Sequence, residues 1–425
     1  MADPGHYDVA IIGAGIVGCS TAFALAKRGF KTLNLDVLPS AGYGSTSASS
    51  AIVRPMYTHE VSACISHECR FIWQRWAEFV GLASSEPLAR YDECGGLMLL
   101  REGELESKQP MMNAMASAGV TFEVIGGEDL RRRFPDISLD GYGPPRAYDD
   151  PAFGSPSSGA IEHAIVVNEA GYVNDPQLAA RNLFLAAQNH GASFQFNTAV
   201  RSIGQEEGCF RLMTSQGEVV ADKVVNAAGP HSTKVNGLAG IELNIELRAL
   251  RHEVAYLSHK IAHFEKGPCL IVDVDAGVYQ RPDGDDMLIG TTDPACDDED
   301  VIDPDDVNMN LTDHWTRQAM RAAQRFPQYQ IPNQAKGTVG VYDVSTDWIP
   351  IYDKTDVHNF FVAIGSSGNQ FKNGPLIGEI MAEVMTAPDH DHAPAQLALT
   401  HINKRIDLGF YSRNRTIQET RGVMA

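Results

Sequence analysis

Hydrophobic and polar positions in the first forty residues trace a strand, a turn, a helix and a second strand. Tyr7–Ile12 is a short apolar run of buried-strand type, and Gly13–Gly18 is a glycine-rich turn. Ile16–Lys27 is alanine-rich and helical, Gly29 stops it, and Lys31–Leu35 forms the next strand, ending at Asp36. A stretch of small polar residues, Ser40–Ser50, leads into Ile52-Val53-Arg54. From Val61 to Val80 the apolar residues Ile72, Trp76, Phe79 and Val80 recur at helical spacing and read as core. A second βα unit lies between Gly171 and Gly229: Asp175-Pro176 opens a helix over Leu178–Asn189 that Gly191 ends. Strand-like runs follow at Ser193–Phe196, Phe210–Met213, Val219–Ala221 and Val224–Ala227.

Alternation in Glu253–Leu257 and Gly277–Ile289 predicts antiparallel strands of a different sheet, and the acidic run Asp297–Asp306 predicts an exposed loop. Phe360–Ile364 is a strand ending in Gly365-Ser366-Ser367-Gly368. The helix behind it carries Leu376, Ile377, Ile380, Met381, Val384 and Met385 on one stripe. Neither repeats nor a low-complexity linker interrupt the chain. The fold class is therefore α/β (α+β overall). A discontinuous Rossmann-like nucleotide domain (1–85, 150–240 and 338–425) carries an inserted antiparallel-sheet substrate domain (86–149 and 241–337).

At 425 residues and 44% hydrophobic content the chain can bury a large core. Its net charge of −20 disfavours a nucleic-acid partner. Seven cysteines without a CxxC pair fit a reducing compartment. Cys64, His67 and Cys69 do not share one helix face, and Asp389-His390-Asp391-His392 reads as a solvated loop, so no metal is expected. Val9–Ala26 is uncharged, but glycine, alanine, serine and threonine make it a poor membrane span, and no basic segment precedes it. The cytoplasm is the expected location.

Gly13-Ala14-Gly15-Ile16-Val17-Gly18 is a GxGxxG turn between a strand and a helix, with an acid ending the next strand. Gly13 permits the tight turn, Gly15 the approach of a pyrophosphate, and Gly18 close helix–strand packing. The helix N-terminus offers N–H groups to phosphate, and Asp36 can accept from ribose hydroxyls. This identifies a dinucleotide site without separating FAD from NAD.

Four stretches go further: HYDVAIIGAGIVGCSTAFALAKRG, GSTSASSAIVRP, VVNAAGP at 224–230, and FFVAIGSSGNQFKNGPLIGEIMAEV. With GYVNDPQLAA they make the chain resemble the D-amino-acid oxidase-like FAD-dependent oxidoreductases, in particular the glycine/sarcosine oxidase branch. The resemblance implies non-covalent FAD held by Gly13, Gly15, Ile16, Val17, Gly18 and Asp36, with Gly44, Ser45, Thr46 and Ser47 passing the pyrophosphate and flavin. Val200 would meet adenine, Ala228 and Gly229 would close the second crossing, and Gly365, Ser367, Gly368, Asn369, Gln370 and Lys372 would lie beside the flavin ring. Arg54 and Lys372 match a pair that grips a substrate carboxylate, the alternatives being Arg54 on FAD or on a structural acid and Lys372 at the surface. Tyr279 and Tyr342 match pocket-lining aromatics, or are core tyrosines.

Several positions depart from the family. Gly340 stands where the sarcosine-oxidase branch tethers the flavin through cysteine, which excludes a covalent link there. Leu288 replaces an oxygen-activating lysine, Thr292 a pocket histidine, and Asn369 a frequent histidine, while Ser47 and Ala51 replace polar residues. A dehydrogenase passing electrons to another acceptor, including a partner protein, is thus as open as an oxidase. The implied reaction oxidises the C–N bond of a small amino acid or N-methyl amino acid, by hydride transfer to flavin N5 and hydrolysis of the imine. Alternatives are a 2-hydroxy-acid dehydrogenase and the flavin subunit of a multi-subunit amine dehydrogenase. His252 and His59 are the candidate bases, each with a buried neutral role as the alternative.

Overall fold

A computed structural model describes residues 5–258, 264, 267–387 and 395–419; the Asp389–His392 run lies outside them. The opening unit forms as expected: β1 (His6–Ile12), α1 (Ile16–Lys27) and β2 (Thr32–Leu35), with β1 and β2 parallel and Ile12 opposite Leu35. β1 is central in an eight-stranded sheet, between β2 and the long strand Gly217–Asn226. Ser193–Gln195 continues the sheet beyond β2, parallel to it. On the far side, Gly217–Asn226 pairs antiparallel with Cys209–Thr214 along its first half and parallel with Phe360–Ile364 at its end.

Both faces of β1 are covered, so its apolar run need not alternate. Val9 and Ile11 enter one core with α1 and the Gly374–Thr386 helix, while Ala10 and Ile12 enter another with Phe210, Leu212 and Ile245. The helical stripe predicted near the C-terminus is the buried side of Gly374–Thr386, although Val384 is only partly buried.

The second eight-stranded sheet is antiparallel except where Leu270–Asp273 runs parallel to Gly96–Arg101. Leu247–Ser258, Val278–Asp283 and Asp286–Thr291 are the strands that alternation predicted, the last two hinged at Gly284. Ile161–Val167 and Gly337–Ser345, placed by the sequence division mostly with the nucleotide-binding segments, hydrogen-bond in this second sheet. Helix Asp313–Arg325 covers one face with Trp315, Ala319 and Ala322. Its last residue, Arg325, is buried and pairs with Asp273 at 2.6 Å and Asp275 at 2.8 Å. The acidic run Asp297–Asp306 is a loop, pinned where Asp297 receives Arg321 at 2.6 Å.

The helix expected over Val61–Val80 is instead two, Glu60–Gln74 and Trp76–Val80, because Arg75 leaves the helical basin (φ −115°, ψ 35°). The break turns the Trp76 indole N–H onto the buried Asn182 oxygen at 3.1 Å while its ring stacks on Trp73.

The tightest helix contact in this core is backbone against backbone. A Cβ at Gly378 would lie 2.0 Å from the Ser20 carbonyl oxygen of α1. We expect Gly378→Ala to destabilise the protein by about 1–3 kcal/mol, the range for overpacked cores. Urea denaturation measures this, and an unchanged midpoint would contradict the packing described.

Candidate functional site

The carboxyl ends of the parallel strands line up at Ile12, Leu35, Asn226 and Val362. Ligands of open α/β sheets bind outside this edge. Gly13 follows β1 with φ +115°, and a Cβ there would meet the Ala227 carbonyl oxygen at 2.3 Å. A Cβ at Gly18 would meet the Gly13 carbonyl oxygen at 2.2 Å. Gly15 occupies the N-cap of α1 without a capping side chain, and the Ile16 N–H donates to Thr46 Oγ1 at 3.0 Å. Asp36 accepts from the Ala14 N–H at 2.6 Å and the Leu38 N–H at 2.8 Å. Each carboxylate oxygen retains a further acceptor direction for a ribose hydroxyl. Burial raises the Asp36 pKa. The Asp36 carbonyl accepts from Thr198, which brings the start of the Val200–Glu206 strand behind the acid.

Gly44, Ser45 and Ser47 are exposed on the loop between β2 and Ile52–Val53. Ser45 donates to the Val341 carbonyl at 2.6 Å, whereas Ser47 donates back to Gly44 at 2.9 Å. Gly340 faces this loop so closely that a Cβ would lie 2.9 Å from the Ala48 Cβ. Ala228 and Gly229 flank the Gly13 turn, Gly229 with φ +57° and open space where a Cβ would stand.

Between the sheets lies a cavity lined by Ser49, Arg54, Tyr279, Tyr342, Gly368, Asn369 and Lys372, among others. Lys372 is therefore buried, not on the surface, and Arg54 is buried with it. Both cations lie against one ring: Tyr57 has the Arg54 guanidinium 4.6 Å and the Lys372 ammonium 4.8 Å from its centroid. Arg54 donates to the Met56 carbonyl at 2.6 Å, and Lys372 donates to the Asn369 carbonyl. Burial, and then the charge of Arg54, hold the Lys372 pKa well below the usual lysine range. Two buried cations facing a small cavity favour an anionic ligand.

The model of the family described as DAO, FAD dependent oxidoreductase, matches residues 8–384. The chain belongs to this FAD-dependent oxidoreductase family. It is 24% identical over 403 residues to a monomeric sarcosine oxidase of Bacillus sp. (strain B-0618), covering 91% of this chain and 94% of that protein. It is 25% identical to the sarcosine oxidase subunit beta of Rhodobacter capsulatus, over 89% of this chain and 85% of the relative. The crystal structure of glycine oxidase from Geobacillus kaustophilus superposes with a TM-score of 0.74 at 19% identity, covering 97% of this chain and 100% of that one. The glycine/sarcosine branch indicated by the sequence motifs agrees with these likenesses.

As an FAD-dependent oxidoreductase, the chain has a cradle that suits its cofactor. The glycines of the Gly13–Gly18 turn, the start of α1 and the exposed residues Gly44, Ser45 and Ser47 offer backbone along the strand-end edge. Gly340 offers no thiol, so nothing at that position can bond the flavin.

Other expected residues stand differently. The Ser367 hydroxyl donates to the Gly365 carbonyl at 3.0 Å, and Gln370 accepts from Tyr352 at 3.2 Å and Asn373 at 2.8 Å, so both side chains are engaged within the scaffold. Leu288 is buried beside Tyr279 and Val254. His252 stacks on Tyr342 at 4.1 Å and lines a second cavity. Burial lowers its pKa to about 3, which keeps the ring neutral. His59 packs against Phe410 and is likewise lowered by burial. Tyr57 and Asp343 escaped the sequence reading. Tyr57 follows Arg54 by three residues on the same segment, whereas nothing in the sequence sets Asp343 apart from the other acids. Among the described residues no helix is long and apolar enough to cross a membrane.

A lysine with a depressed folded-state pKa binds its proton more tightly in the unfolded chain. Stability therefore rises with pH from that folded value up to the unfolded one near about 10.4. We expect the ligand-free wild type to gain stability relative to Lys372→Met as pH is raised from 7 to 10, followed by paired thermal melts. A gap independent of pH would rule out a buried, destabilised ammonium.

Proposed function

We propose that the enzyme oxidises the C–N bond of a small amino acid or N-methyl amino acid whose carboxylate sits between Arg54 and Lys372. The observation that carries this reading is the pair of buried cations on Tyr57, at the wall of the cavity that also contains Gly368 and Asn369. Arg54 supplies a planar fork for a carboxylate and Lys372 a point charge. Tyr279 and Tyr342 wall the cavity and exclude water from the carbon that reacts. When bound, FAD supplies the hydride acceptor, and the imine product hydrolyses to a carbonyl compound and an amine.

Among the described cavity-lining residues there is no carboxylate and no histidine. This favours an amine, which needs only to be neutral, over a 2-hydroxy acid, which needs a base to take its hydroxyl proton. His252, neutral behind Tyr342, is not placed to serve. The buried apolar Leu288 leaves no cation for oxygen activation at that position, so we propose a dehydrogenase that hands electrons to another acceptor, with a protein acceptor as one form. The resemblance to a subunit of a sarcosine oxidase supports that option. A cytoplasmic location completes the proposal.

Anaerobic mixing with amino acids, N-methyl amino acids, simple amines and 2-hydroxy acids tests the substrate class. We expect the flavin absorbance to bleach with carboxylate-bearing amines, faster toward alkaline pH, and to recover slowly in air. Bleaching by hydroxy acids alone would overturn the reading. Replacing Arg54 by Met removes charge-assisted bonds worth roughly 1.5–3 kcal/mol, so the rate constant for bleaching at low substrate should fall roughly ten- to hundredfold. An unchanged constant would remove Arg54 from the substrate site.

A further inference from the structure

We propose that Asp343 is a positioning residue that shapes the turn at the redox end of the cofactor and, as a carboxylate, lowers the potential of the bound flavin. The proposal rests on the family's use of FAD and on the cavity at Gly368, and is independent of which substrate enters.

The turn Gly365–Gly368 leaves the carboxyl end of the Phe360–Ile364 strand, and Gly368 lines the cavity. Its backbone is left-handed at Gly365 (φ 69°), Ser367 (φ 49°) and Gly368 (φ 66°). Glycine adopts this region freely, but Ser367 does so only under restraint from its surroundings. Asp343 provides the restraint. Its carboxylate accepts from the Gly365 N–H at 2.7 Å and from the Ser366 hydroxyl, and its main-chain carbonyl accepts from the Ser367 N–H at 2.8 Å. Three successive residues of the turn are thus fastened to one residue of the Gly337–Ser345 strand. The neighbouring Tyr342 presses its ring where a Cβ of Gly368 would stand, 2.3 Å away.

The charge of this carboxylate bears on the cofactor. Asp343 is buried, and among the described residues no lysine, arginine or histidine lies within ion-pair distance of it. Hydrogen bonds from the turn offset part of the burial penalty, which by itself raises the pKa. The Gly365 N–H, which could otherwise stabilise negative charge on a reduced ring, is instead spent on Asp343. An uncompensated carboxylate in that place opposes the negative charge that arrives with electrons, in a medium where screening is weak.

Two variants separate shape from charge. Asp343→Asn keeps an acceptor for the Gly365 N–H, and the Ser366 hydroxyl can rotate to accept from the new amide. Asp343→Ala removes both partners. Each purified variant is titrated with FAD, and its midpoint potential is measured by reductive titration with dithionite, so no substrate is involved. We expect Asp343→Ala to bind FAD at least tenfold more weakly, and Asp343→Asn to bind within threefold of wild type with a midpoint potential shifted upward. An Asp343→Asn enzyme with unchanged potential overturns the charge role, even if it binds FAD normally. Wild-type FAD affinity in Asp343→Ala overturns the shaping role. Should the alanine variant not fold, the potential of the asparagine variant decides alone. Failure of these measurements leaves the amine-bleaching result untouched, and the converse also holds.

Discussion

A row of carbonyl oxygens and glycine backbones packed too closely for any side chain holds the nucleotide edge together. Gly13 turns under Ala227, Gly18 seats α1 on the Gly13 carbonyl, and Gly378 lays the C-terminal helix on Ser20. Each approach is set by main-chain atoms, which do not yield as a flexible side chain would. Strands from residues 6–35, 217–226 and 360–364 therefore end in one line, though they are far apart in the sequence. The surface on which a dinucleotide can extend is a consequence of that alignment.

The second sheet meets this edge both where Asp343 holds the Gly365–Gly368 turn and around the 44–50 loop. Thr46 accepts from the first N–H of α1 while Ser45 donates to the Val341 carbonyl, so one loop is fixed to α1 and to the second sheet. Arg281, buried on the second sheet, donates to the Ser50 carbonyl at 2.5 Å. The cavity forms where the sheets are pinned in this way. Among the described lining residues, those with an acidic or basic side chain are both basic, Arg54 and Lys372.

Elements dictated by local pattern were legible in the sequence. The apolar run of β1, the Asp175 cap with its proline, and the alternating strands around Gly284 all follow from neighbours in the chain. Arg54 and Lys372 were legible through resemblance, and their burial on a shared ring settles Lys372 against a surface role. What escaped depends on contacts between distant segments. The break at Arg75 answers to Asn182, more than a hundred residues on, and Ile161–Val167 joins the second sheet because Gly96–Arg101 is its partner. Asp343 looks like any acid near a strand end until the Gly365–Gly368 turn is seen folded over it.

The paired cations on Tyr57 have a bearing on how the reaction would finish. Oxidation of the C–N bond leaves the carboxylate intact, whether hydrolysis of the imine releases the amine or a carbonyl fragment, so the group the clamp recognises is common to substrate and product. The product thus leaves against the same attraction that drew the substrate in, and a deeper electrostatic well gives longer product residence along with tighter capture. Within the proposed function, the two charges set a compromise between scavenging dilute substrate and turning over quickly.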